Sequence, residues 1–116
     1  MLEKPAFIQG LYGYEGAGLG KPISFQPRVT YVVPRDKRSQ MIYFRAGNAS
    51  GEMVYVALMR RGAVMRYFPI GAKGAVHVPL AVVEDLSPET ELEILIAAPE
   101  GVKSSLLLDV GFMEIG

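Results

Sequence analysis

Apolar residues along this chain recur mostly at every second position, a period that predicts β-strands almost throughout. In Glu91–Ala98 (ELEILIAA), Leu92, Ile94, Ile96 and Ala98 share one face, with Glu91 and Glu93 on the other. Arg28–Val33 (RVTYVV) is rich in β-branched and aromatic residues and stops at Pro34, ahead of the charged turn Pro34–Arg38. Strands Gln40–Ala46 and Glu52–Arg60 follow, separated by a turn over Gly47–Gly51. Glu52–Arg60 and Ala63–Pro69 form a predicted hairpin through Arg61-Gly62, with Gly62 at positive φ. Pro79 places the strand Ala75–Leu80 at an edge or a strand end, and Val83–Pro88 predicts a single helical turn. Ser104–Val110 and Phe112–Ile115 end the chain, bent at Gly111. At the start, Ala6–Gln9 is a short apolar piece, and the glycines of Gly10–Gly20 predict an irregular loop or a bulged edge. About eight short strands with Gly/Pro turns between them predict an all-β, single-domain antiparallel β-sandwich over residues 1–116.

Two of these strands are apolar on both faces. Val54, Val56 and Leu58 are opposed by Met53, Tyr55, Ala57 and Met59, and Ile42 and Phe44 by Met41 and Tyr43. A half-solvated antiparallel strand should alternate apolar with polar. Either a loop such as the glycine-rich segment covers the outer face, or Met53, Tyr55 and Met59 form a subunit interface.

Composition narrows the functional classes. Half of the 116 residues are hydrophobic and 21% charged, which describes one globular core. Twelve basic and twelve acidic residues balance; without a cationic surplus a nucleic-acid partner is not expected. Zero net charge instead favours a homo-oligomer or a protein assembly. The absence of cysteine excludes disulfides, thiolate metal sites and a Cys nucleophile. Met1–Pro5 carries no signal-peptide pattern and the apolar runs are too short to span a bilayer, so the expectation is a cytoplasmic protein without a membrane partner.

Candidate chemistry is sparse. The single histidine, His77, alternates with Val76 and Val78, and none of the serines sits in a nucleophile elbow. Glu91 and Glu93 share a strand face that reads as solvent-exposed. Asp109 lies in an apolar run (LLLDVGF) and so needs a partner, for which an arginine is favoured. Gly16, Gly18 and Gly20 lack the strand–loop–helix context of a phosphate loop, and Lys21 is followed by Pro22. Arg60, Arg61 and Arg66 flank Tyr67-Phe68, a pattern that suits a sugar, an anion or a protein partner. No catalytic, metal or cofactor site is predicted, and the chain is not expected to be an enzyme.

From Arg28 to Ile115 the order of elements is similar to that of the jelly-roll carbohydrate-binding modules and the wider galactose-binding-like fold. The resemblance is carried by VTYVVPRDKRS, by IYFRAGNAS with its Arg45-Ala46-Gly47-Asn48 segment, by the hairpin VYVALMRRGAVMRYF and by SLLLDVGFMEI. It implies a jelly-roll sandwich and a non-catalytic binding domain, with Arg45 and Asn48 as hydrogen-bonding residues. Two readings follow. One is a binding or assembly module that recognises carbohydrate or a protein partner through Tyr43, Arg45, Asn48, Arg66 and Tyr67. The other is a structural accessory subunit of a larger assembly, such as a phage-like particle or a multi-subunit enzyme, with no small-molecule ligand.

Overall fold

A computed structural model describes residues 3–80 and 84–116. The described residues form nine strands: β1 Glu3–Glu15, β2 Ile23–Val32, β3 Arg38–Asn48, β4 Val54–Arg60, β5 Ala63–Ile70, β6 Ala75–Pro79, β7 Asp85–Leu86, β8 Glu91–Ala97 and β9 Lys103–Ile115. They make two antiparallel sheets. A five-stranded sheet has the order β1-β9-β3-β6, with β7 also paired to β3, and a four-stranded sheet has the order β2-β8-β4-β5. The all-β sandwich expected from the alternation is the observed architecture.

Inward-facing residues of both sheets fill the core, among them Phe25, Phe44, Phe112, Leu58, Ile94 and Leu108. Aromatic contacts join the sheets at three places. Phe44 of β3 stacks on Phe68 of β5 with ring centroids 4.0 Å apart. Phe112 of β9 stacks on Tyr31 of β2 at 3.9 Å. Near the other end of β9, Tyr12 and Tyr14 of β1 meet Phe25 of β2 at 5.6 and 6.4 Å. Burying Glu114 and Ser39 beside the Tyr31 ring requires partners for both. The Tyr31 hydroxyl bonds to Glu114 Oε2 at 2.7 Å and to Ser39 Oγ at 2.8 Å. Burial pushes that hydroxyl well above the usual tyrosine range.

Three expectations need correction. Gly10–Glu15 is not an irregular loop: β1 runs through it in unbroken register with β9, from Glu3↔Ile115 to Glu15↔Lys103. The glycines are tolerated because β1 is an edge strand and the tyrosines between them, Tyr12 and Tyr14, supply the core contacts. Only Gly16–Gly20 leaves the sheet. There Gly16 donates to the Val102 carbonyl at 2.7 Å, and a Cβ on Gly16 would run into the Pro99 carbonyl. The helical turn expected over Val83–Pro88 is also absent where it is described. Asp85–Leu86 instead pairs with Ser39-Gln40 as a short strand, and Val83 lies outside the described residues. Finally, Ser104–Val110 and Phe112–Ile115 are not two pieces but one strand, β9, which runs through Gly111 from Lys103 to Ile115. The Arg61-Gly62 turn is as expected, with positive φ at both residues (52° and 78°), as a two-residue hairpin of this hand requires.

Candidate functional site

The outer face of the five-stranded sheet is built around a bulge in β3. Met41 pairs with Phe112 of β9 and Tyr43 with the adjacent Gly111, so Ile42 is an extra residue on β3. A bulge reverses which parity points inward. Before it, Ser39 and Met41 are buried; after it, Phe44, Ala46 and Asn48 are. Tyr43 and Arg45 are thereby turned outward. The same switch explains why Gln40–Ala46 looks apolar on both faces: Met41 and Phe44 both enter the core, although they differ in parity.

Register then aligns three rows across the strands β1, β9, β3 and β6. Gln9, Asp109, Arg45 and His77 form a polar row. On one side of it lie Leu11, Leu107, Gly47 and Ala75, and on the other Phe7, Gly111, Tyr43 and Pro79. Leu11, Leu107 and Phe7 are exposed large apolar residues. A cavity of about 470 Å³ opens over this face, lined by Gln9, Arg45, Gly47, His77, Leu107 and Asp109 among others.

Asp109 is the hub of the polar row. Its Oδ1 accepts from the Tyr43 hydroxyl at 2.8 Å and from the Gln9 amide at 3.1 Å. Its Oδ2 faces Arg45 Nη1 at 3.5 Å, the arginine pairing expected from the sequence. The Tyr43 and Gln9 hydrogen bonds hold the carboxyl below its usual range, so it is ionised at neutral pH. Desolvation, together with the bond to Asp109, raises the Tyr43 hydroxyl, which therefore stays a donor. Gly111 gives the tyrosine its seat, since a Cβ there would fall inside the Tyr43 ring. His77 meets the edge of that ring with centroids 6.1 Å apart.

The five residues singled out in the sequence lie in three places. Tyr43 and Arg45 belong to this face. Asn48 is buried: its amide donates to the carbonyls of Glu52 (2.9 Å) and Gly71 (3.0 Å), and its Oδ1 accepts from Ser50 N (2.9 Å). Those bonds fix the turn after β3 and occupy both ends of the side chain. Arg66 and Tyr67 are on β5, in the other sheet. Arg66 and Tyr67 both line a separate groove with Met65, Phe68, Val76 and Val78, and Tyr67 is 60% exposed with its ring at a steep angle to Tyr55. Gln9, His77 and Asp109 were outside the predicted set.

Tyr55 and Met59 belong to the four-stranded sheet, and Met53 immediately precedes it. Met53 is exposed just before β4, and Tyr55 and Met59 are half-buried on its outer face. The Tyr55 hydroxyl donates to the Leu19 carbonyl, so the Gly16–Gly20 loop lies over that end of the face. Glu93, on the same face, accepts a two-pronged contact from Arg28 (2.9 and 3.0 Å) and a hydrogen bond from Ser24 (2.6 Å), which hold its carboxyl below the usual range.

No protein-family model matches the chain, and no curated protein matches it. Solved structures do. The CBM36-1 domain of a multidomain xylanase from the hindgut metagenome of Trinervitermes trinervoides aligns with a TM-score of 0.60 at 14% identity, over 95% of this chain and 96% of that one. Carbohydrate-binding module CBM36, in complex with calcium and xylotriose, aligns at 0.55 and 15% identity over the whole of both chains. An infectious bursal disease virus Gt strain structure aligns at 0.51 and 12% identity, over 97% of this chain but 33% of that one. Calcium wants six or more oxygen ligands. Among the described residues no three His, Cys, Asp or Glu side chains come together, and the Asp109 carboxylate faces a guanidinium. The Asp109 centre, with its carboxylate turned to a guanidinium, therefore does not fit a calcium site. What the chain shares with these modules is the fold, a jelly-roll β-sandwich, as the resemblance in its sequence implied.

Proposed function

We propose that this chain is a non-catalytic carbohydrate-binding module that takes a short oligosaccharide across the outer face of its five-stranded sheet. The observation that carries the reading is the polar row Gln9–Asp109–Arg45–His77 set between two apolar rows over an open cavity. A sugar chain has the matching pattern, with hydroxyl groups around its edges and C–H surfaces on its faces. The cavity volume lies within the range of small-ligand sites. Four strands at about 4.8 Å spacing make the row about 14 Å long, room for several sugar rings in line.

Asp109 would accept from sugar hydroxyls. Arg45, His77 and the Gln9 amide would donate to them, and the Tyr43 ring and Leu107 would take the apolar faces. Tyr43 and its bond to Asp109 hold the carboxylate in place before a ligand arrives, which reduces the ordering cost of binding. The carbohydrate-binding neighbours, one of them in complex with xylotriose, support the same reading.

The test is titration calorimetry of the wild-type chain with xylotriose, cellotriose and trigalacturonic acid. Saturable binding of at least one is expected. Asp109→Ala, which strips the acceptor from Tyr43, Gln9 and Arg45 together, should abolish it in a protein that still folds. No binding of any of the three by the wild type would overturn the proposal, and undiminished binding by folded Asp109→Ala would remove this face from it.

A further inference from the structure

The polar row is not uniform along its length, and its polarity bears on the kind of sugar it takes. At the β1 end and centre, Asp109 supplies acceptor oxygens. At the β6 end, Arg45 and His77 are direct cross-strand partners; the guanidinium can only donate, and the imidazole can donate from one ring nitrogen. Arg45 is held weakly. Its one ion pair among the described residues runs from Nη1 to Asp109 Oδ2 at 3.5 Å, at the limit of a hydrogen bond, and its side chain is 57% exposed. The guanidinium therefore makes no two-pronged contact with Asp109, whose Oδ1 is turned to Tyr43 and Gln9. Arg45 and His77 both line the cavity. Asp109 is the only acidic residue lining that cavity among the described residues, and it lies on the side of Arg45 away from His77.

We infer that the β6 end of the row is a carboxylate subsite and that the ligand is an acidic glycan, an oligosaccharide carrying a uronic acid. The inference rests on the sheet-face carbohydrate reading and narrows it. A guanidinium fork matches the two oxygens of a carboxylate, and charge-assisted bonds of that kind are roughly twice as strong as neutral ones. The His77 imidazole carries one ring N–H in either neutral tautomer and can add a second donor at the same end. The ionised Asp109 would repel a carboxylate placed at the centre of the row, which fixes the polarity: uronate towards β6, neutral hydroxyl-bearing rings over Asp109 and Gln9.

Two matched ligand pairs test this by calorimetry: trigalacturonic acid against its methyl ester, and xylotriose bearing one glucuronic acid against unsubstituted xylotriose. In at least one pair the acid should bind about tenfold tighter or more. The preference should shrink when salt is raised from about 0.02 M to about 0.5 M, because it is electrostatic. Arg45→Met should bring the acid down to the affinity of its neutral partner. Arg45→Lys, which keeps the charge but not the fork, should lose part of the preference, as should His77→Phe. Equal affinities within both pairs, with the wild type still binding, would overturn the acidic subsite and leave the carbohydrate reading standing. So would an acid preference that survives in the folded arginine and histidine variants. If none of the four oligosaccharides binds, the acidic subsite fails, and if cellotriose does not bind either, the carbohydrate reading fails with it.

Discussion

Replacing Phe44 by alanine is expected to lower the free energy of unfolding by about 3–5 kcal/mol. The side chain is 1% exposed and stacks on Phe68 across the sandwich, with ring planes 6° apart. Its removal forfeits the burial of the ring, an aromatic pair worth about 0.5–1.5 kcal/mol in its own right, and leaves a cavity that cannot easily collapse. Collapse is resisted because β3 is bonded on both sides, to β9 and to β6, so its backbone is not free to close the gap. Against a domain stability of roughly 5–15 kcal/mol the loss is a large fraction of the total. Urea unfolding should show the midpoint falling with little change in slope. A loss below about 1 kcal/mol would mean that the Phe44–Phe68 stack is not a main link between the sheets. The residue matters for function too: by fixing the inward parity of β3 after the bulge, Phe44 holds its neighbours Tyr43 and Arg45 on the outer face.

Gly111→Ala is expected to separate binding from stability. The backbone of Gly111 is ordinary extended strand, so alanine is sterically acceptable to the main chain. The new methyl group, however, occupies the space of the Tyr43 ring. That ring is only half-buried and can swing outward, which keeps the stability cost at or below the roughly 1–3 kcal/mol typical of overpacking. In swinging out, its hydroxyl leaves Asp109 and the carboxylate loses its shortest hydrogen bond. A hydrogen bond to a charged group is worth about 1.5–3 kcal/mol, so oligosaccharide affinity should fall roughly tenfold or more. Calorimetry of the folded variant reads the effect, and unchanged affinity would show that the Tyr43 seat plays no part in the site.

The contrast between what was and was not legible in the sequence comes down to which constraints are local. Glu91–Ala98 and the Arg61-Gly62 hairpin were readable because alternation and a two-residue turn are written in adjacent residues. The inward-facing tyrosines of Gly10–Glu15 were hidden by the glycines around them, whose cost is offset by thirteen residues of pairing with β9. The bulge at Ile42 was not readable at all. It exists only relative to β9, some 70 residues further on, and the two-faced apolar pattern it produced looked like a covered or interfacial strand. For β4 a covering loop does contribute, through Leu19 and Tyr55.

The site follows the same rule. Gln9, Asp109, Arg45 and His77 come from four strands and are brought together by register alone. Two carry a local signal: Asp109, as an ionisable residue inside an apolar run, and Arg45, through the Arg45-Ala46-Gly47-Asn48 segment. Asn48, by contrast, resembled a binding residue because a turn-closing asparagine and a ligand-binding one have the same polar side chain. Its burial and its bonds to Glu52, Gly71 and Ser50 are tertiary facts.

The most direct measurement of the central claim, that the outer face of the five-stranded sheet is the binding surface, is a backbone-amide NMR titration of the wild-type chain with trigalacturonic acid and with xylotriose. The account predicts saturable shift changes concentrated at Gln9, Leu107, Asp109, Tyr43, Arg45 and His77, with the amides of β4, β5 and β8 unmoved. Saturable changes centred instead on Tyr55, Tyr67 and their neighbours in the four-stranded sheet, or no changes with either oligosaccharide, would contradict it.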